Sequence, residues 1–155
     1  MTRPFQVVPA AYIVLRRRTD LGQQVLLQLR QGTGYMDGHW ACGVAGHVEP
    51  GESVLAAARR EALEELGITI APADLVPLCA MHRTARNSRA IDERVDFFFE
   101  CWQWRGEPAL READKAADLR WFALDGLPAP VVPHELSVLE RLGTDSLAPI
   151  VTFGF

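Results

Sequence analysis

Apolar positions come in short bursts separated by polar, glycine-bearing stretches, and the period within each burst sets the element it predicts. Ala11–Leu15 and Val25–Leu29 are compact runs of strand length, and Thr19-Asp-Leu-Gly22 between them predicts a hairpin turn. A polar loop from Gly32 to Gly38 follows, and then Trp40–Ala45 reads as one short strand leading into Gly46. Pro50-Gly51 turns the chain, Ser53–Leu66 reads as a helix, and Gly67 is its C-terminal stop. Leu75–Met81 is a further strand, followed by an arginine-bearing loop from His82 to Ala90. Arg94–Trp104 is β-branched and aromatic, which predicts a strand that Arg105-Gly106 turns. Leu119–Phe122 is a short strand, and Glu135–Leu142 a last helix with Leu136, Leu139 and Leu142 on one face. Nothing repeats and no linker divides the chain. One domain over residues 1–155 is expected, an α/β mixed sheet with helices packed on its faces.

The helix over 53–66 carries an electrostatic problem. Glu61, Glu64 and Glu65 stand three and four residues apart, so their carboxylates share one face and repel. One reading is a solvated helix laced with pairs such as Arg60 with Glu64. The other is a divalent cation. Hard ions such as Mg²⁺ or Mn²⁺ take oxygen ligands, and Mg²⁺ commonly combines one or two carboxylates with substrate phosphates. The second reading points to phosphate chemistry.

Composition narrows the partners. The chain has 155 residues and a formal net charge of −4, with no long Lys/Arg run. That length suffices for a substantial core. The acidic balance argues against a nucleic-acid polymer as the main partner and leaves small phosphorylated ligands open. Cys42, Cys79 and Cys101 are odd in number and widely spaced, which predicts buried small residues, neither a disulfide framework nor a zinc site. The apolar stretch from Phe5 to Leu15 is broken by Gln6 and Pro9 and ends in Arg16-Arg-Arg18. It reads as neither a leader nor a membrane span, so a cytoplasmic protein with no membrane partner is expected, either a monomer or a homodimer.

Gly46, Glu52, Arg60, Glu61, Glu64, Glu65 and Gly67, with Ala62 and Ile68 at the apolar positions, resemble the signature box of the Nudix hydrolases over residues 46–68. That box reads Gly, five residues, Glu, seven residues, then Arg-Glu-apolar-any-Glu-Glu-any-Gly-apolar. Val95–Pro108, Glu112 and Leu119–Phe122 are similar to the second half of the MutT-like nucleoside-triphosphate pyrophosphohydrolases. Two departures stand out. Ala62 is smaller than the aliphatic residue usual there, and Gly43-Val44 replaces the customary Leu-Pro ahead of the box.

The resemblance implies an α/β/α sandwich and a set of site residues. A metal would be held by the Gly46 carbonyl, Glu61, Glu64 and Glu65, with Glu112 as a further carboxylate. Arg60 would lie off the metal face and grip Glu52, holding the loop against the helix. The general base stays open among Glu61, Glu64, Glu112 and Glu93. Glu49 belongs either to the metal shell or to an exposed turn, and His47 either meets a phosphate or is solvated.

Arg30 falls where this branch grips a phosphate. Arg83, Arg86 and Arg89 form either a phosphate guide or a solvated loop. Trp40 is either a base-stacking residue or core, and His134 and Glu135 fall where purine-cleaning relatives read a base edge. The leading expectation is hydrolysis of a (deoxy)nucleoside triphosphate, oxidised forms included, to monophosphate and pyrophosphate. ADP-ribose or another nucleotide sugar is the alternative within enzymes, and a nucleotide-binding sensor is the alternative outside them. RNA cap removal and coenzyme A hydrolysis have less support, from charge and from the lack of a further motif respectively.

Overall fold

The computed structural model describes residues 2–155. Eight strands form one mixed sheet: β1 (Val8–Thr19), β2 (Gly22–Arg30), β3 (Trp40–Cys42), β4 (Val44–His47), β5 (Val76–Arg83), β6 (Arg94–Cys101), β7 (Ala116–Ala123) and β8 (Ile150–Phe153). Helix α1 (Val54–Leu66) and helix α2 (Pro133–Gly143) complete the regular structure apart from two single 3₁₀ turns. The main path through the sheet runs β3-β2-β1-β6-β5-β8, with β4 added to β1 and β7 added to β2.

β1 is central because it is apolar on both faces. Ala11, Ile13 and Leu15 point to one side, where they pack with Ala57, Ala58, Ala62 and Leu66 of α1. Ala10, Tyr12 and Val14 point to the other, against Val138 and Leu139 of α2. Two cores on opposite faces of one sheet make an α/β/α sandwich. Ala62 has an explanation here. It is fully buried, and the alanine face it shares with Ala57 and Ala58 lets α1 lie close on the sheet where a bulkier side chain would lift it.

The run expected as a single strand over 40–45 is two strands. Cys42 pairs with Leu27 of β2, while Val44 pairs with Ile13 of β1, so the chain changes partner at Gly43. A Cβ at Gly43 would sit 3.2 Å from the Leu26 carbonyl oxygen and 3.6 Å from Leu66 Cδ1, a fit that suits glycine. Strand β6 stops at Cys101, earlier than expected, and Arg105 instead bridges to Thr69 just after α1. Strand β8 was not expected: Ile150–Phe153 is too short for its period to register, and it exists because it pairs in parallel with Ala80–Arg83. Cys42, Cys79 and Cys101 are free and buried.

α1 is bounded as its sequence predicts. Ser53 Oγ accepts the Ala56 N–H at 3.1 Å, and Gly67 takes the left-handed conformation at φ 69°. Ser53→Ala should therefore cost about 1 kcal/mol. Leu66→Ala, emptying a fully buried site between α1 and the sheet, should cost about 2–5 kcal/mol. Urea titration of both variants checks the order and the gap between them.

Candidate active site

The strand β4, the loop after it and α1 together build the carboxylate cluster. Arg60 organises it. Its Nε donates to Glu52 Oε2 at 2.7 Å and its Nη2 to Glu52 Oε1 at 2.9 Å, a two-point fork. Nη2 also donates to the His47 carbonyl at 3.2 Å. The loop closes on itself through the Glu49 N–H to Glu52 Oε1. The pairing holds Glu52 well below the ordinary carboxylate range, near 2, through the Arg60 hydrogen bond first and the backbone hydrogen bond to Glu49 next.

Against the expectation that it lies off the glutamate face, Arg60 also reaches that face. Its remaining nitrogen, Nη1, donates to Glu61 Oε1 at 2.8 Å and to Glu64 Oε2 at 3.2 Å. A guanidinium has five donors, and the two glutamates lie one residue and one turn further along the same helix. The same arginine thus fastens the loop and partly neutralises the helix face.

Glu61 and Glu65 are partly buried, while Glu64 is half exposed. Glu65 Oε2 accepts the Ala45 N–H at 3.1 Å, which aims the carboxylate at β4. Burial raises the pKa of Glu65 well above its ordinary range, with Glu61 and Glu112 adding to the effect. Glu61 is raised too, by burial first, against the opposing pull of Arg60. Gly46 is required by this packing. A Cβ there would lie 2.2 Å from the Glu61 carboxyl carbon, so only glycine lets that carboxylate rest against the β4 backbone.

The donors gathered here are all oxygens, several of them costly to hold as anions, which is the chemistry a hard divalent cation matches. Among the described residues no three His, Cys, Asp or Glu side chains form a ready-made cage; Arg60 stands between Glu61 and Glu64 instead. A cation seated on this face would draw on Glu61, Glu64, Glu65 and the Gly46 carbonyl.

Two cavities adjoin this cluster. The smaller, about 220 Å³, is lined by Gln28, Arg30, Thr33, Ala45, Glu65, Leu110, Glu112 and Lys115. Glu112 is thereby brought beside Glu65, and it pairs with Lys115 at 3.1 Å. The larger, about 620 Å³, opens between the 31–38 and 85–92 segments; Tyr12, Tyr35, Gly46, His47, Arg83, Arg89, Arg94, His134 and Glu135 are among its walls. Arg30 and Ala45 belong to both. Arg30 is held by Nε to the Tyr35 carbonyl at 2.9 Å and by Nη2 to Thr33 Oγ1 at 3.0 Å.

His134 and Glu135 form part of the floor of the larger cavity, each only 3% exposed. His134 Nε2 lies 3.2 Å from the Tyr12 hydroxyl, and Glu135 Oε1 accepts the Cys42 N–H at 2.8 Å. Burial drives His134 down to about 2, so it is neutral, and pushes Glu135 up to about 7.

Other sequence candidates fall elsewhere. Trp40 lines neither cavity. Its ring sits in the core, edge-on to Phe122 at 4.8 Å, because β3 pairs with β2 and turns that face inward. Glu93 bonds the Thr84 hydroxyl at 2.7 Å and lines neither cavity. Glu49 is mostly exposed, at the margin of Arg60. Arg86 stays outside both cavities, whereas Arg83 and Arg89 line the larger one.

Residues that sequence reasoning missed are Tyr35, hidden in a glycine-rich loop without period, and Asp96. The latter did leave a signal: an acid within Val95-Asp-Phe-Phe-Phe99 must be buried with a partner.

The NUDIX domain profile matches residues 7–142. The chain belongs to the Nudix family. A MutT NUDIX hydrolase from Burkholderia pseudomallei is 30% identical, with a TM-score of 0.76 over 88% of this chain and 98% of that one. The NAD-capped RNA hydrolase NudC of Stutzerimonas stutzeri (strain A1501) is 31% identical over 99 residues, 64% of this chain. Those residues are 32% of that protein, so the match spans about a third of the length of this curated relative. The NUDIX domain of Shewanella oneidensis NrtR, solved with ADP ribose, has a TM-score of 0.69 at 18% identity, a likeness of fold alone. Members of this family generally use divalent metal ions. Among the described residues no helix is long and apolar enough to cross a membrane.

Two outcomes test the geometry. Gly46→Ala should displace the flexible Glu61 carboxylate and lower activity while leaving the urea midpoint nearly unchanged. Glu135 has a folded-state pKa raised from 4.5 to about 7, so its contribution favours the folded state at low pH and is lost as pH rises through that window. Glu135→Gln, which keeps an acceptor for Cys42, should therefore flatten the fall in stability between pH 4.5 and 7. Melting temperatures across that range decide it.

Proposed function

We propose that this enzyme hydrolyses a nucleoside diphosphate linked to a further group, with a (deoxy)nucleoside triphosphate, oxidised forms included, as the leading substrate. Monophosphate and pyrophosphate would be the products. The observation that carries this reading is the joint between the two cavities. Arg30 and Ala45 line both, so a diphosphate lying against Glu65 and Glu112 would have next to it a space of the size that takes a base and sugar.

Mg²⁺, or Mn²⁺ in its place, would be held by Glu61, Glu64, Glu65 and the Gly46 carbonyl, with Glu112 facing it across the smaller cavity. When bound, such an ion neutralises phosphate charge and acidifies the attacking water. The rest falls to side chains of this chain. Arg30, braced by Thr33 and the Tyr35 carbonyl, would orient the phosphates as a planar two-point donor. Arg60 keeps the Glu52 loop on α1, and the Ala45 N–H keeps Glu65 aimed. The proton of the attacking water would go to one of Glu61, Glu64 or Glu112.

Base recognition is assigned to the floor and lip of the larger cavity. Tyr35, about half exposed at the lip, offers a stacking face that Trp40 in the core does not. His134 and Glu135 supply hydrogen-bonding groups beneath it. Because His134 is neutral, it can offer either a donor or an acceptor according to its tautomer.

A nucleotide sugar such as ADP-ribose is the second reading. The larger cavity favours it in one respect: about 620 Å³ leaves room for a second polar group beside a base. A sensor that binds without turnover is the reading outside enzymes.

A hydrolysis panel with Mg²⁺ and Mn²⁺, over nucleoside triphosphates, ADP-ribose and dinucleoside polyphosphates, separates them by product. Pyrophosphate plus a monophosphate supports the leading reading; AMP plus a sugar phosphate moves the enzyme to the second. Tight binding with no turnover supports the sensor. Glu64→Gln and Glu65→Gln should each lower kcat by roughly a hundredfold or more while the fold stays intact. Near-normal turnover in both would sink the metal assignment.

A further inference from the structure

Arg83 on β5 and Arg94 on β6 are direct cross-strand partners. Like charges in that relation destabilise a sheet unless something compensates. Among the described residues only one carboxylate pairs with either of them. Asp96, fully buried two residues along β6, accepts Arg83 Nε at 2.7 Å on Oδ2, and its Oδ1 lies 3.6 Å from Arg94 Nε, beyond hydrogen-bond reach. Asp96 Oδ1 and Arg94 Nε are both left without a hydrogen-bond partner among the described residues.

The two guanidiniums, each only 11% exposed, therefore carry one positive charge more than Asp96 can balance. The cavity's other acids are engaged. Asp92 bonds Asn87 and pairs with Arg89, and Glu135 is bound to the Cys42 N–H. Meanwhile Nη1 and Nη2 of Arg83 make no hydrogen bond to the protein among the described residues, and Arg83 lines the larger cavity. A buried cation with free, coplanar donors is suited to a phosphate, which it can bind at two points.

We propose that Arg83 and Arg94, seated on Asp96, form a second anion seat in the larger cavity, for a phosphate that the substrate carries outside its scissile diphosphate. The seat rests on the reading of that cavity as the place of the substrate's non-reacting end. It favours nucleotides with an added phosphate, either an ester on the ribose or a longer polyphosphate chain.

Matched ligands test it. NADP⁺ against NAD⁺, and coenzyme A against dephospho-coenzyme A, isolate a ribose phosphate; diadenosine tetraphosphate against the triphosphate isolates chain length. Dissociation constants are measured by calorimetry with EDTA present, and kcat/KM is measured with Mg²⁺. The added phosphate should tighten binding about tenfold or more in at least one arm, and the responding arm names its source. Arg83→Gln and Arg94→Gln combined with Asp96→Asn, a neutral set that keeps hydrogen-bonding groups, should remove most of that preference. Arg86→Gln, in the loop that follows Arg83 but outside the cavity, should keep it. Equal binding within every pair, or a preference that survives the triple variant, overturns the seat. A binding preference without turnover would leave the seat standing and remove the hydrolase reading; turnover without a preference would do the reverse.

Discussion

The five donors of one guanidinium set the shape of the active-site end of this enzyme. Arg60 reaches Glu52 by two hydrogen bonds, the His47 carbonyl by another, and Glu61 and Glu64 through its last nitrogen. Remove that fork and the loop between β4 and α1 loses its tie to the helix. The glutamates along α1 would then face one another with nothing cationic between them. A lysine could not substitute, because a single ammonium cannot grip Glu52 at two points and still reach the next turn. The same contacts place Arg60 in competition with any cation for Glu61 and Glu64, so cation binding here is an exchange of partners.

The fold was legible wherever local pattern and burial agree. β1, β6 and α1 announce themselves because a strand buried on both faces reads as a continuous apolar run, and a helix with Ser53 and Gly67 at its ends carries its own punctuation. What could not be read depends on partners distant in sequence. The exchange of partners at Gly43 follows from β1 and β2 both needing an antiparallel neighbour from one short stretch. β8 exists only because β5 offers an edge.

Site residues divide in the same way. The spacing of Glu61, Glu64 and Glu65 could be read from helical period alone, and Glu52, Arg60 and Gly46 through their resemblance to a family box. The resemblance also pointed to Arg30, Glu112, His134 and Glu135, all of which line one cavity or the other. Trp40, read from its aromatic character as either a base-stacking residue or core, is core, its inward direction set by pairing with Leu29; the resemblance was silent on Tyr35, whose loop has no period to read. Aromatic character alone does not say which side of a sheet a ring will occupy.

The way β1 is paired has a bearing on how the chain reaches this state. Ala10–Ile13 are flanked by β4 on one side and β6 on the other, and Arg16–Thr19 turn instead to β2. The β1–β6 contact is parallel and joins segments from opposite halves of the sequence, so its loop-closure entropy must be met before either core is complete. The β1–β2 pairing is local in sequence, whereas Ala45 and Gly46 have no fixed position until β4 has docked on β1. The carboxylate cluster therefore depends on the assembled sheet, through the Ala45 N–H and the space at Gly46. A peptide spanning only residues 46–68 would carry every residue of the box and none of its geometry.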